Sequence, residues 1–207
     1  MSMDLDAATR ARLLCLYPDF ATRVIRVYAD MQRLHGVTMR MTEGVRFFTH
    51  QAKLYQQGRR DPQSGQMVPG PIVTWAPYGY SRHHWAIAAD GCFAGADPYL
   101  ERLTKTDPAK AADLWASYGR LAQAHGCTWG GDWNGNGRTD DEKKKDQPHI
   151  EMRYGGLSDS DLLRIHARGG IRAVWAEFDH IRGLPSGHEW DFAPSIVRIL
   201  EPDDIGS

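Results

Sequence analysis

Two short stretches concentrate the residue types that bind metals and move protons. The first is Ser81-Arg82-His83-His84-Trp85-Ala86-Ile87-Ala88-Ala89-Asp90, and the second is Asp146-Gln147-Pro148-His149-Ile150-Glu151. A catalytic zinc takes three protein ligands from histidine and carboxylate side chains and keeps a fourth position open for water. His83, Asp90 and His149 meet that requirement. The chemistry also asks for a carboxylate off the metal, which takes a proton from the attacking water and returns it to the leaving amine. Asp146, three residues before His149, fits that role. His83 and Asp90 are seven positions apart, so a straight strand would aim them at opposite faces. Both reach one ion only if His83 lies in a loop ahead of the strand or a bulge intervenes. His149 and Glu151 share a face when extended, which lets Glu151 orient a ligand from behind. Spacing alone does not exclude His84 as a ligand, and nine histidines bring some beside carboxylates by chance.

A third stretch has the donors of a hard cation. Asp132-Trp133-Asn134-Gly135-Asn136-Gly137-Arg138 repeats side-chain oxygens at alternate positions and then supplies a glycine. That is the front half of an EF-hand loop, in which the residue at the place of Arg138 donates its carbonyl. The back half is irregular: Lys143 stands where a bidentate carboxylate is required, so the loop must be shortened and closed by Glu142 or Asp141. The plain alternative is an Asn/Gly-rich turn without an ion.

The two clusters resemble the paired signatures of the zinc D-Ala-D-Ala carboxypeptidase and L-alanyl-D-glutamate peptidase family, S-x-H-x-x-G-x-A-x-D and D/E-x-x-H. Ser81, His83, Ala88 and Asp90 match the first, and Asp146 with His149 match the second. The resemblance implies zinc on His83, Asp90 and His149 and a general base and acid at Asp146, with His84 on a non-ligand position. Upstream, Gly44-Val45-Arg46-Phe47-Phe48-Thr49-His50-Gln51, then Leu54-Tyr55 and Gly58-Arg59, is similar to the family's G-x-R-[ST]-x-x-x-Q-x-x-L-Y-x-x-G-R. There the arginine stabilises the oxyanion, which makes Arg46 the candidate here and Gln51 a candidate for holding substrate or Arg46. Ser81 is the other candidate contact to substrate. Aspartate before Pro-His, and the run Trp129-Gly130-Gly131-Asp132-Trp133, look like the phage endolysin branch, where loops resembling 132–142 precede the second zinc motif. The chain departs from the pattern at Ala86 (for glycine), Phe47 and His50, and none of these removes a ligand or the base. The resemblance covers about residues 20–155. It implies cleavage of the L-Ala–D-Glu bond of the peptidoglycan stem peptide by a phage or prophage endolysin. The alternatives are a D-Ala-D-Ala carboxypeptidase on the same site and a non-catalytic zinc-containing wall-binding module.

The elements that must carry these residues are legible in outline. Phe20, Val24, Val27, Tyr28, Met31 and Leu34 recur at helical spacing over 19–35, with Gly36 as the stop. A shorter helix over 5–16 ends before Pro18, and another covers 49–57. Residues 37–42 alternate like a strand, 84–93 look like a buried strand of small side chains, and 127–131 and 148–154 look like two more. Asp107-Pro108 opens a helix that runs to about His125, and Ser158 with Asp161 has the form of a capping box. Residues 59–80 form a long polar loop of the kind that binds ligands. Together these predict an α+β fold, with a small antiparallel sheet and flanking helices. The resemblance narrows that to a single domain of the Hedgehog and D-Ala-D-Ala-peptidase type over residues 1–184, with 185–207 as a tail.

Bulk properties narrow the class. Apolar residues make up 42% and charged residues 25% of 207, with a formal net charge of −1, which argues against a nucleic-acid partner. Cys15, Cys92 and Cys127 are too few and too scattered for a disulfide framework. No stretch approaches the ~18 apolar residues of a membrane span, and residues 13–17 are too short for the apolar core of a signal peptide. The expectation is a monomer, made in the host cytoplasm without its own export signal, that reaches the wall after release.

Overall fold

The computed structural model describes residues 5–184. The expected tail, 185–207, lies outside the described residues. The fold is α+β: helices α1 (Ala7–Leu13), α2 (Pro18–His35), α3 (Phe48–Gln56), α4 (Glu101–Thr106), α5 (Pro108–Ala124) and α6 (Asp159–Ile181) accompany strands β1 (Met39–Glu43), β2 (Ala88–Phe93), β3 (Thr128–Trp129) and β4 (His149–Glu151). The strands form one antiparallel sheet in the order β1-β2-β4-β3. The described chain divides into two compact units, residues 5–45 with 87–153 and residues 46–86 with 154–184. No helix among the described residues is long and apolar enough to cross a membrane.

The first unit contains the whole sheet. Pro18 starts α2, and Gly36, at φ 65°, ends it in the left-handed conformation that glycine adopts without strain. The predicted stripe of Phe20, Val24, Val27, Tyr28 and Met31 is buried. Helix α5 begins as its Asp-Pro start predicts, with the Asp107 carboxylate accepting from the Lys110 N–H. Trp115 and Tyr118 on α5 are buried, Trp115 packing edge-on against Phe93 of β2. Gly119, inside α5, costs about 1 kcal/mol of helix propensity relative to alanine. It is there because a Cβ at that position would fall inside the Trp129 ring.

The second unit packs α3, a 3-10 turn (Arg82–Trp85) and α6 together. The Trp175 Nε1–H donates to the Trp85 carbonyl at 3.1 Å, and Arg82 reaches the Leu157 carbonyl at 3.0 Å. The Ser158/Asp161 capping box forms as predicted and opens α6, which kinks at Gly169–Gly170. The long loop 59–80 is tied down from α3. Gln51 Nε2 donates to the Ala76 carbonyl at 2.5 Å and to Thr74 Oγ1 at 3.2 Å, and Arg59 Nη2 donates to the Thr74 carbonyl at 2.8 Å.

Besides the strands expected over 127–131 and 148–154, which shorten to β3 and β4, two features depart from the sequence reading. The strand expected from residue 84 begins only at Ala88, because residues 82–85 coil into the 3-10 turn and Ala86 caps it at φ 59°, ψ 28°. Helix α4 was not anticipated. Its start is set by the Asp97 carboxylate, which accepts the N–H groups of Arg102 and Leu103, and six residues are too few to show a period.

The close fit of Trp129 on Gly119 makes a test. Gly119→Ala should lower unfolding stability by about 1–3 kcal/mol through overpacking, despite the better helix propensity. Urea denaturation measures it, and a gain in stability would contradict the packing account.

Candidate metal centre

The turn ahead of β2 answers the spacing problem of the first cluster. A straight strand would have sent His83 and Asp90 to opposite faces; the left-handed turn at Ala86 instead lets the chain reverse between them. Glycine takes such a turn most readily, and Ala86 adopts it at a cost of about 1–2 kcal/mol. The other ligand pair is made by strand register. In the β2–β4 ladder Asp90 stands directly opposite His149, and Ala88 opposite Glu151. One ligand atom from each of His83, Asp90 and His149 lies within 4.8 Å of the others. Among the described residues, this is the one group of three His, Cys, Asp or Glu side chains that converges in this way. His83 is 2% exposed and His149 8%, so both rings are already withdrawn from water.

The surroundings of His149 fit a cation. Its Nδ1 lies 2.9 Å from an Asp90 carboxylate oxygen, and its Nε2 lies 3.2 Å from Glu151. Burial disfavours charge on this ring, but hydrogen bonds and charge from Asp90 and Glu151 outweigh it and push its pKa up to about 10. Burial likewise opposes ionisation of Glu151, yet His149 and Arg153 pull its pKa down to about 2. Asp90 and Glu151 thus favour positive charge at this ring, and a divalent ion on Nδ1 would take the place of a proton there. Glu151 would then keep the Nε2–H oriented, while Arg153, 2.9 Å from Glu151, fixes the carboxylate in turn. Two imidazoles and one carboxylate are a donor set suited to zinc, with Nδ1 as the metal-side nitrogen of His149.

Asp146 opens the turn that delivers His149. The His149 N–H donates to the Asp146 carbonyl at 3.0 Å, and every peptide oxygen of 146–149 accepts a bond from within the same unit. Trp129 Nε1 donates to Gln147 O at 2.8 Å; the Gly91 N–H donates to Pro148 O at 2.9 Å and the Tyr118 hydroxyl to the same oxygen at 3.3 Å. Gly130 closes both ends: it accepts from the Asp146 N–H and donates to His149 O, each at 2.8 Å. A Cβ on Gly130 would sit 3.0 Å from the Asp146 Cβ and against its carbonyl. Sequence spacing gave none of these tethers; the Gly-Gly pair after Trp129 is the signal that a close backbone approach leaves. The Asp146 side chain itself is exposed.

Arg46 and Gln51 come together within the second unit. The Arg46 Nη1–H donates to Gln51 Oε1 at 2.7 Å, with Gln51 fully buried and Arg46 9% exposed. Ser81, 6% exposed, stands at the head of the 3-10 turn, its carbonyl accepting the His84 N–H at 3.0 Å. His84 turns its Nδ1 to the Arg46 carbonyl at 2.8 Å, and burial pulls its pKa down to about 4.

The loop 132–142 has the hydrogen bonds of a turn-rich loop. The Asp132 carboxylate accepts the N–H groups of Asn136 and Gly137 and the Gln123 amide, and Asn136 Oδ1 accepts the Arg138 N–H. Glu142 folds back to accept the Asn134 N–H at 3.1 Å, while the Arg138 guanidinium pairs with Asp140.

Residues 75–152, which span both motifs, match the D-alanyl-D-alanine carboxypeptidase family. The peptidoglycan L-alanyl-D-glutamate endopeptidase CwlK of Bacillus subtilis (strain 168) is 32% identical over 118 residues, 56% of this chain. The chain spans 62% of that relative's length. The crystal structure of the Serratia marcescens L-Ala D-Glu endopeptidase ChiX is 21% identical, over 71% of this chain and 87% of that one, with a TM-score of 0.40.

Glu151→Gln should weaken zinc binding about ten- to a hundredfold while the protein stays folded. Calorimetric titration with zinc measures this, and unchanged affinity would remove Glu151 from its orienting role.

Proposed function

We propose that this chain is a zinc-dependent peptidase that hydrolyses the L-Ala–D-Glu bond of the peptidoglycan stem peptide. The observation that carries the reading is the convergence of His83, Asp90 and His149 inside the stretch that matches the peptidase family. The name of the Bacillus relative supports the choice of bond. When bound, zinc supplies Lewis acidity that polarises the scissile carbonyl and acidifies water. The chain's own groups do the rest. Asp146 takes the proton of the water whose oxygen attacks the carbonyl carbon. It returns that proton to the amine nitrogen as the C–N bond breaks. Arg46, held by Gln51, faces the negative charge that develops on the carbonyl oxygen. Ser81 lies against the bound peptide.

The same reading makes the protein a phage or prophage lysis enzyme, produced in the host cytoplasm and acting on the wall after release. Its support is the likeness of Trp129–Trp133 and Asp146-Gln147-Pro148-His149 to the endolysin branch. Calcium on the loop of Asp132, Asn134, Asn136, Arg138 and Glu142 belongs to this reading too, supported by the return of Glu142 onto the loop. Calorimetry with calcium should give one site; no heat at millimolar calcium would contradict it. A D-Ala-D-Ala carboxypeptidase is the second reading, favoured by the description of the matched family.

Mass spectrometry of peptidoglycan digested by the zinc-loaded protein separates the two. New L-Ala carboxyl and D-Glu amino ends, absent from a chelated control, are expected. Loss of terminal D-Ala instead would favour the carboxypeptidase, and no cleavage by zinc-loaded protein would leave the wall-binding module. Asp146→Asn should cut turnover by about 10²–10⁴-fold with zinc still bound; undiminished turnover would move the base elsewhere.

A further inference from the structure

His84 is a buried residue for which neither the ligand set nor the proton transfer has a use. It is 1% exposed, stacked on Phe48 with ring centroids 4.2 Å apart and planes 20° apart, and edge-on to Trp85. Its Nδ1 lies 2.8 Å from the Arg46 carbonyl oxygen. A carbonyl only accepts, so Nδ1 carries the hydrogen and the neutral ring has its lone pair on Nε2. That Nε2 is buried with no hydrogen-bond partner. A leucine would fill similar space without leaving an acceptor unsatisfied; the polar contact that sets the imidazole against that cost is its Nδ1 bond.

The bond has a partner running the other way. The Arg46 N–H donates to the His83 carbonyl at 3.2 Å. Both peptide groups of Arg46 are therefore tied to consecutive residues of the 3-10 turn, the first of which is the candidate metal ligand. The Arg46 side chain is held separately, by Gln51. With its backbone clamped at two points and its guanidinium at a third, Arg46 keeps a fixed direction relative to His83.

We propose that His84 is a positioning residue, which through its Nδ1–H locks the Arg46 backbone to the His83 segment and so aims the Arg46 guanidinium. Its effect on catalysis rests on the peptidase reading above; the lock itself does not.

Two readouts on the metal-free protein test the lock. Nitrogen-15 NMR of labelled histidine should show the hydrogen on His84 Nδ1, the reverse of the usual preference of a neutral ring. A hydrogen on Nε2 alone would overturn the proposal. Amide exchange should show Arg46 protected in the wild type and in His84→Asn, whose amide donates from nearly the same place. In His84→Leu that protection should fall at least about tenfold. Equal protection in the Leu variant would overturn it. In the zinc-loaded enzyme, His84→Leu should lower kcat about tenfold or more with KM little changed, and His84→Asn should recover most of it. The Leu change should add no further loss on top of Arg46→Ala, because both act through one group. An undiminished loss in that background would assign His84 a merely structural role. If the wild type cleaves no stem peptide, the peptidase reading falls and the NMR and exchange results still decide the lock. If the Leu variant does not fold, the wild-type tautomer decides it.

Discussion

The pairing of β2 with β4 is the constraint on which the rest depends. It sets Asp90 against His149 and brings an aspartate within 2.9 Å of an imidazole nitrogen. A slip of one residue would turn one of the two side chains to the opposite face and destroy the ligand pair. The register is accordingly fixed from several directions. Gly91, next to Asp90, must be a glycine because the Tyr118 and Tyr28 hydroxyls occupy the space a Cβ would take. Its N–H and the Tyr118 hydroxyl then both hold Pro148, one residue before His149. Ala89 and Ile150, paired in the same ladder, are fully buried and anchor the strands to the core.

The residues given chemical roles are supported to different degrees, and the differences suit the roles. His149 is enclosed by Asp90, Glu151 and, through Glu151, Arg153, so its ring has little freedom. Asp146 has a backbone tied by hydrogen bonds and is exposed, which suits the proposed contact with water and substrate. Arg46 is buried and braced by the buried amide of Gln51. The brace also ties down residues 74–76, so the long loop and the arginine share one anchor. A preorganised cation of this kind loses little on reorganisation when charge develops opposite it.

Much of this was readable from the chain. The stripe of α2, the Asp107-Pro108 start of α5 and the Ser158 capping box are local signals, and they hold because nothing tertiary opposes them. The three candidate ligand positions followed from residue type and resemblance, and the odd spacing of His83 and Asp90 asked for a loop ahead of the strand or a bulge, of which the structure has the first. The position of that break was not legible, because Ala86 is a poor left-handed residue and gives no warning. The tethers on the 146–149 turn were also hidden, since they join residues from four different parts of the chain. His84 looked like an ambiguous neighbour of a ligand, and only the direction of its Nδ1 separates it from one.

The central claim is that one metal ion is held by two imidazoles and a carboxylate from these three positions. X-ray absorption at the zinc edge, on protein loaded with one equivalent, tests it most directly. The account predicts a first shell of nitrogen and oxygen only, with the outer-shell scattering of two imidazoles. Sulfur in the first shell, or scattering from a single imidazole, would contradict it and move the ion away from His83, Asp90 and His149.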